Sequence, residues 1–214
     1  MYLPHFEFNP IVISFALLMV FVNHNNAYAE PFSIEKDYLL YDTENNLDVT
    51  EIDWGHEDDL LKILKENKDI QTIMLNSGGG LISVANEMAD LVIDAGLDTI
   101  VEGICESACV TIFLAGKNRK LELGGKIGFH SSWWSAEDMQ KFYEDEKEHE
   151  GWKSPFEFAS WLYEDTQAEI YQEFEYLLER GVKPNFAIQT LKSGADGMWY
   201  PRRKQLLDGG IITE

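Results

Sequence analysis

Between residues 58 and 130 the chain alternates between the apolar spacing of β-strands and that of α-helices. Short apolar runs at 70–75 and 99–104 have the length of buried strands, and each is followed by a helical pattern, at 81–95 and 108–115. Strands that alternate with helices are joined by crossover connections, which favours a largely parallel sheet. We therefore expect an α/β fold, in which candidate ligand-binding residues lie at the carboxyl ends of the strands.

Glycines mark the boundaries of the predicted elements. Gly78-Gly79-Gly80 ends the first of these strands, and Gly96 stands where the helix after it should end. A shorter amphipathic helix is predicted around 60–64, before the first strand. Two short strands are predicted at 121–123 and 126–130, on either side of a glycine pair.

The first 29 residues have the features of an export signal. Residues 11–22 are apolar except for Ser14, which is a typical length for a signal-peptide core and short for a membrane span. Ala27-Tyr28-Ala29 predicts cleavage after Ala29 and a mature protein that begins at Glu30. No Lys or Arg precedes the apolar run, so an uncleaved membrane anchor stays open as the alternative. We expect an exported protein located in the periplasm, with secretion or membrane anchoring as further options.

The charge of the chain restricts its partners. Lys and Arg number 17 against 38 Asp and Glu, which gives a formal net charge of −21. Removal of residues 1–29 takes away a single acid, Glu7, and no base, so the predicted mature chain carries one negative charge less. A nucleic-acid partner and docking on anionic lipid are excluded, because both need a cationic surface. Contact with a membrane is expected only if the signal segment is uncleaved. The two cysteines are too few for a four-cysteine zinc site.

Residues 131–153 depart from the alternation, since they are rich in Glu, Asp and Trp and have no regular apolar period. We expect an insertion or a mobile segment here. Ser154-Pro155-Phe156-Glu157 then has the pattern of a capping box with proline at the first helical position, which predicts the start of a long helix. Gly181 marks its predicted end. In the tail, a short helix and a final strand at 211–212 are predicted.

The long helix and the segment before it contain many large apolar and aromatic residues. The residues concerned are Leu162, Ile170, Phe174 and Leu177 on one helix face, and Trp133, Trp134, Trp152 and Trp161 near it. Exposed aromatic patches usually mark an interface, which predicts a homo-oligomer. The alternative is that the helix packs on its own sheet and the tryptophans fold beneath it.

Ser107 and His130 are the candidate catalytic residues. Ser107 stands directly before the predicted helix 108–115, where free N–H groups and the helix dipole can stabilise an oxyanion, although a serine there can also be a plain helix cap. His130 follows a short strand at the edge where ligands bind, and a structural role is open for it too. The remaining histidines of the predicted mature chain, His56 and His149, are expected at the surface.

The glycine turn is a third candidate. The N–H groups of Gly78-Gly79-Gly80 can bind an anion or a carbonyl oxygen, whereas an ordinary tight turn is the plainer interpretation. The turn lacks the residues of a phosphate loop and the spacing of a dinucleotide fingerprint. Three signals therefore follow three successive strands, in the order glycine turn, serine, histidine.

That order carries a resemblance to a known family. The segments that carry it are Leu75-Asn76-Ser77-Gly78-Gly79-Gly80, Cys105-Glu106-Ser107-Ala108-Cys109, Phe113-Leu114-Ala115-Gly116 and Ile127-Gly128-Phe129-His130. Over 37–130 and 196–213 the chain resembles the proteolytic subunit of the Clp protease, and most of all the exported, periplasmic ClpP-like branch. The resemblance implies a ClpP/crotonase-like spiral of ββα units, formed by a single domain at 30–214 with a helical handle insertion at 131–190.

The resemblance also implies a Ser-His-Asp protease that needs no cofactor and no metal. It carries the nucleophile to Ser107, the general base to His130 and the oxyanion-binding N–H groups to Gly80 and Ala108. Asp196 is the best match for the third triad member, while a turn aspartate is the other interpretation of this residue. An acid at this position orients and stabilises the histidine rather than reacting itself.

Cys105 and Cys109 each lie two residues from Ser107. In an oxidising compartment they can form a disulfide across the turn from strand to helix. Two small, buried, unpaired side chains are the alternative, because local geometry decides and the sequence does not show it.

Two functions compete. The first is an exported serine peptidase that cleaves proteins or peptides through an acyl-enzyme. The second is a catalytically silent binding or assembly protein on the same fold, which uses the acidic, Trp-rich insertion to hold a partner. Acyl-CoA chemistry on the related crotonase fold is opposed by the export signal and by the acidic charge.

Overall fold

The structure is a computed structural model, and it describes residues 31–194 and 197–214. The predicted signal segment 1–29, the predicted first mature residue Glu30 and the candidate Asp196 lie outside the described residues. Within the described ranges, no helix has the length and apolar character that a membrane span requires.

One mixed sheet of six strands forms the centre of the described part. The strands are β1 (Phe32–Glu35), β2 (Tyr38–Asp42), β3 (Thr72–Ser77), β4 (Asp98–Glu106), β5 (Arg119–Leu121) and β6 (Lys126–Gly128). Their order is β1-β2-β3-β4-β5, and β6 pairs with β4 beyond the end of β5. The β1–β2 hairpin is antiparallel, and every other pairing of these strands is parallel. The predicted largely parallel sheet is confirmed.

The described helices connect the strands and extend the chain after β6. They are α1 (His56–Glu66), α2 (Ile82–Ala95), α3 (Cys109–Ala115), α4 (Ala136–Glu150), α5 (Pro155–Glu179), α6 (Pro184–Thr190) and α7 (Arg203–Gly209). The four helices predicted with bounds, α1, α2, α3 and α5, are confirmed. Gly96 closes α2 in the left-handed conformation, as the sequence predicted.

Of the segment 131–153, for which an insertion or a mobile segment was expected, residues Ala136–Glu150 form the regular helix α4. Ser135 caps this helix by accepting the N–H of Asp138, and Gly151 ends it in the left-handed conformation. An i,i+4 ion pair joins Lys141 to Asp145 on its surface. Caps and charge pairs stabilise such a polar helix, which the search for an apolar period therefore missed.

The predicted strand at 211–212 is also wrong, because the described tail runs past β5 without forming a regular strand. The Arg119 side chain donates to the carbonyl oxygens of Ile211 and Gly210, at 2.8 and 2.9 Å, and Thr213 N–H donates to Arg119 O at 2.9 Å. Ile211 and Ile212 are buried. Their apolar character reflects this burial rather than a place in the sheet. The strand predicted at 121–123 is shifted as well, since β5 ends at Leu121.

The carboxyl-terminal part of α5 packs on the domain next to α3. Leu177 is buried there, Tyr176 Oη donates to the Thr111 carbonyl at 2.8 Å, and Arg180 donates to the carbonyls of Leu114 and Ala115, both at 3.0 Å. Cations are favoured at the C-terminal end of a helix, so Arg180 stabilises α3 at the end opposite Ser107.

The amino-terminal part of α5 packs against α4 through an aromatic cluster. Its members are Trp134, Phe142, Tyr143, Trp152, Phe158 and Trp161, with ring centroids 5.0–6.5 Å apart for the contacting pairs. Such edge-to-face and offset contacts hold the two helices together as a unit. Some of the tryptophans are therefore packed between α4 and α5. Tyr163, Ile170 and Tyr171, in the middle of α5, remain exposed.

Candidate active site

Three neighbouring strands end at one place. β3 ends at Ser77, β4 at Glu106 and β6 at Gly128, and the registers pair Ser77 with Cys105 and Glu106 with Gly128. The glycine turn follows β3, Ser107 follows β4 and His130 comes two residues after β6. Because the carboxyl ends of parallel strands share one edge, the three sequence signals come together there.

Asn76, just before the glycine turn, connects β3 to β4 through its side chain. The pairing of β3 with β4 shifts register between Leu75 and Ser77. Asn76 Oδ1 accepts the N–H of Ile104 at 2.9 Å in this irregular stretch, and a side chain at Gly103 would collide with the Asn76 amide. The asparagine thus replaces a missing backbone partner and fixes β3 and β4 relative to each other next to the site.

Ser107 has an unusual backbone. Its φ of +52° lies in the left-handed region that non-glycine residues rarely occupy. Its N–H donates to the Gly128 carbonyl at 3.1 Å, and its side-chain Oγ lies 2.8 Å from His130 Nε2. The N-cap of α3 is Ala108, which makes no side-chain capping bond. The interpretation of Ser107 as a plain helix cap is therefore wrong.

The hydrogen bonds of His130 define which nitrogen carries the proton. Nδ1 lies 2.9 Å from the Ser131 carbonyl oxygen, which can only accept. Nδ1 therefore carries the hydrogen, and Nε2 offers its lone pair to the Ser107 hydroxyl. This is the tautomer in which a histidine can act as a general base toward a serine. The Ser131 carbonyl was not foreseen, since no sequence pattern marks a backbone acceptor.

The three N–H groups of the glycine turn differ in their hydrogen-bond partners. Gly78 N–H donates to Glu44 Oε1 at 2.9 Å and Gly79 N–H to Ser77 Oγ at 3.2 Å. Among residues 31–194 and 197–214 no acceptor is found for the N–H of Gly80, nor for that of Ala108. A helix N-terminus and a turn with free N–H groups suit a developing negative charge.

Gly79 lies directly against the nucleophile turn. A Cβ atom on Gly79 would stand 2.8 Å from both Ser107 Cβ and Glu106 O. Its φ of +103° is also one that side chains rarely adopt. Gly79 therefore allows the turn after β3 to approach Ser107, a role that the sequence did not assign to it.

Two hydrogen-bonded contacts flank His130. Phe129 and Trp199 exchange backbone hydrogen bonds of 3.0 and 2.8 Å, and the N–H of Ser131 donates to the Ser193 carbonyl at 2.8 Å. The segment between Ser193 and Trp199 thus begins and ends beside residues adjacent to His130. The candidate Asp196 belongs to this segment by sequence, but it lies outside the described residues.

Two further acidic residues stand near the pair. Tyr200 Oη donates to Glu106 Oε1 at 2.6 Å, which raises the pKa of Tyr200 to about 12 and ties the tail to the residue before Ser107. On α5, Glu173 keeps an exposed side chain, but the crowding around its carboxyl raises the pKa of that group, and the charge of His130 opposes the rise.

Cys105 and Cys109 are joined by a disulfide, with their Cα atoms 5.3 Å apart. Both cysteines are fully buried. Of the two interpretations left open by the sequence, the structure has the pair bonded across the turn that carries Ser107.

The other two described histidines lie outside this site. His56, expected at the surface, is buried, and its Nδ1 accepts from Tyr41 Oη at 2.9 Å. Burial lowers the pKa of His56, although Asp53 opposes the shift. His149 is exposed near Glu146 and Glu150, as expected for an acidic surface.

Comparison with known proteins supports the fold. No protein-family model and no curated protein matches the sequence. Among solved structures, the chain is similar to ClpP1 from Listeria monocytogenes, with a TM-score of 0.53 and 18% identity over 77% of this chain and 85% of that one. A point mutant of the same protein gives a TM-score of 0.54 with the same identity and coverage. The predicted fold class is confirmed, and in its fold this chain belongs with the ClpP-like proteins.

Proposed function

We propose that this protein is a serine peptidase in which Ser107 is the nucleophile and His130 the general base. The observation that carries the proposal is the 2.8 Å contact between Ser107 Oγ and His130 Nε2, in the tautomer set by the Ser131 carbonyl. The left-handed backbone of Ser107 adds support, because such conformations cluster at active sites. The ClpP-like fold is consistent with protein or peptide substrates.

The proposed reaction follows from these positions. His130 Nε2 would take the Ser107 hydroxyl proton while Oγ forms a bond to the carbonyl carbon of the scissile peptide. The N–H groups of Gly80 and Ala108, which have no acceptor within the described residues, would stabilise the oxyanion. His130 would then protonate the leaving amine, and water would hydrolyse the acyl-enzyme by the same steps. No cofactor or metal takes part in this proposal.

For the third member of a triad, we propose Asp196. The support is indirect: the chain on either side of it, at Ser193 and Trp199, is held to residues next to His130. An acid there would orient the imidazole and stabilise its charged form. In the structure as described, the Ser131 carbonyl already occupies Nδ1. We therefore expect Asp196→Asn to lower activity less than Ser107→Ala does.

A fluorophosphonate probe tests the proposed nucleophile, because it reacts covalently with activated serines. We expect labelling of the wild type and none of Ser107→Ala. Ser160→Ala, which removes an exposed serine on α5, is the matched control and should label like the wild type. If the folded wild type fails to label in every oligomeric state, the protein is the catalytically silent binding or assembly protein instead.

We further propose that the protein is exported and acts as a homo-oligomer. The apolar segment 11–22 followed by Ala27-Tyr28-Ala29 supports export, and the exposed aromatic and aliphatic residues in the middle of α5 support assembly. Mass spectrometry of the protein from its native cells tests the first point. A mature amino terminus at Glu30 is expected, whereas an intact Met1 in a soluble cytosolic fraction would contradict export.

A further inference from the structure

The disulfide closes a five-residue ring around Ser107. Cys105 lies near the end of β4, where it pairs with Ser77 on one side and Ile127 on the other. Cys109 is the first residue of α3. The bond therefore ties the start of the helix to the sheet, directly across the proposed nucleophile.

The turn inside this ring has little local support. The left-handed backbone of Ser107 is unfavourable for a residue with a side chain. Serine at such a place would ordinarily cap the following helix, but the Ser107 hydroxyl contacts His130 and α3 has no side-chain cap. α3 is also only seven residues long, too short to be stable by itself.

The disulfide limits the conformations that the turn can adopt. Five residues in an extended conformation would separate the Cα atoms of Cys105 and Cys109 by about 13 Å. A disulfide requires these atoms to lie within roughly 7 Å of each other. The bonded pair therefore excludes extended forms of the turn, in which Ser107 would lose its contact with His130.

We propose that the Cys105–Cys109 disulfide is the positioning element of the active site, and that the reactivity of Ser107 depends on the oxidised state of this pair. This inference rests on the proposed Ser107–His130 function. It makes the enzyme fully active only where disulfides persist, so that newly made protein in a reducing compartment would be largely inactive.

Reduction tests the dependence directly, because these are the only two cysteines in the sequence. Dithiothreitol transfers two electrons and two protons to the bond, which gives two cysteine thiols and the cyclic disulfide of the reagent. Since both cysteines are buried, reduction is carried out in mild denaturant that is then removed. Titration with a thiol reagent counts the free thiols before and after reoxidation with oxidised glutathione.

The double variant Cys105→Ala/Cys109→Ala is a second way to remove the disulfide. It removes the bond without adding polar groups to the core, and dithiothreitol should have no effect on it. Both forms are compared with the oxidised wild type by fluorophosphonate labelling, at a temperature at which circular dichroism shows them folded. We expect the maximum labelling rate to fall roughly 10- to 100-fold, with little change in the probe concentration that gives half of it. Reoxidation should restore the wild-type rate.

The outcomes separate the inference from the function on which it rests. Equal labelling rates for oxidised, reduced and double-variant protein would overturn the inference alone, and a lower melting temperature with an unchanged rate would show a merely structural bond. A protein that cannot fold without the bond would equally overturn a positioning role. Failure of the oxidised wild type to label would overturn the proposed function, and this inference with it.

Discussion

Substitution of Gly79 by alanine should displace the nucleophile without replacing any proposed catalytic residue. The added Cβ would lie 2.8 Å from Ser107 Cβ and from Glu106 O, and 3.2 Å from Ala108 N. Two of these three partners are backbone atoms, and the third is fixed to the Ser107 backbone. None of them is the end of a flexible side chain that could rotate away, so the turn itself has to move.

The size of the effect follows from these distances. Ordinary contacts of a Cβ atom begin at 3.4 Å, so the turn after β3 and the Ser107 turn must separate by about 0.6 Å. A misplacement of about 1 Å at a reacting group can lower a rate about 100-fold. We therefore expect the labelling rate of Ser107 to fall roughly 10- to 100-fold. The φ of +103° adds a strain of about 1–3 kcal/mol to the folded state.

Gly124→Ala separates collision from backbone strain. Gly124 has a φ of +93°, close to that of Gly79, and a Cβ there would meet nothing within 4 Å. Both variants should lose stability in denaturant unfolding through backbone strain, Gly79→Ala more than Gly124→Ala because of its added collision. Only Gly79→Ala should lose fluorophosphonate reactivity under conditions in which it is folded. A wild-type labelling rate in folded Gly79→Ala would refute the argument. Equal losses of reactivity in both variants would show that strain, not contact, is responsible.

Three further predictions concern the site, the core and the assembly. Loss of Ser107 or of His130 alone should lower activity almost as much as loss of both, because members of a catalytic unit are strongly non-additive; single losses that multiply in the double variant would contradict this pairing. Burial lowers the pKa of His56, so the unfolded state binds its proton more readily and the folded state loses stability as the pH falls below about 6.5. In denaturant unfolding, the free energy of unfolding should therefore fall less between pH 7.5 and 5.5 in His56→Gln than in the wild type. Light scattering should show association that tightens as salt screens the acidic chains, and Ile170→Lys on the exposed part of α5 should weaken it; a wild type that stays monomeric at high concentration and high salt would refute assembly.

The sequence determined the parts of this protein that depend on local patterns. Alternating strand and helix spacing predicts the parallel sheet, because burial on both faces requires apolar runs of strand length. Gly96 and the Ser154 cap predict helix ends, since each satisfies backbone groups within a few residues of itself. The same local logic placed Ser107 before a helix and His130 after a strand, but it left both a cap and a catalytic residue open for Ser107.

Local patterns failed where residues distant in the chain decide the outcome. Ile211 and Ile212 resemble a strand in sequence, yet the carbonyls of Gly210 and Ile211 accept from the side chain of Arg119, more than 90 residues earlier. α4 has no fully buried residue, and part of its support comes from aromatic contacts with α5. In each case the stabilising contacts form only after the chain has folded.

Tertiary structure alone decided the chemistry of the site. Pairing of β6 with β4 brings His130 within 2.8 Å of Ser107, 23 residues away, and the Ser131 carbonyl selects its tautomer. Hydrogen bonds to Glu44 and Ser77 occupy two of the three glycine N–H groups and, among the residues that the structure describes, leave that of Gly80 without an acceptor, which no spacing rule could have revealed. Hydrogen bonds depend on distances of a few tenths of an ångström, and the packing of several elements fixes such distances where residue order cannot.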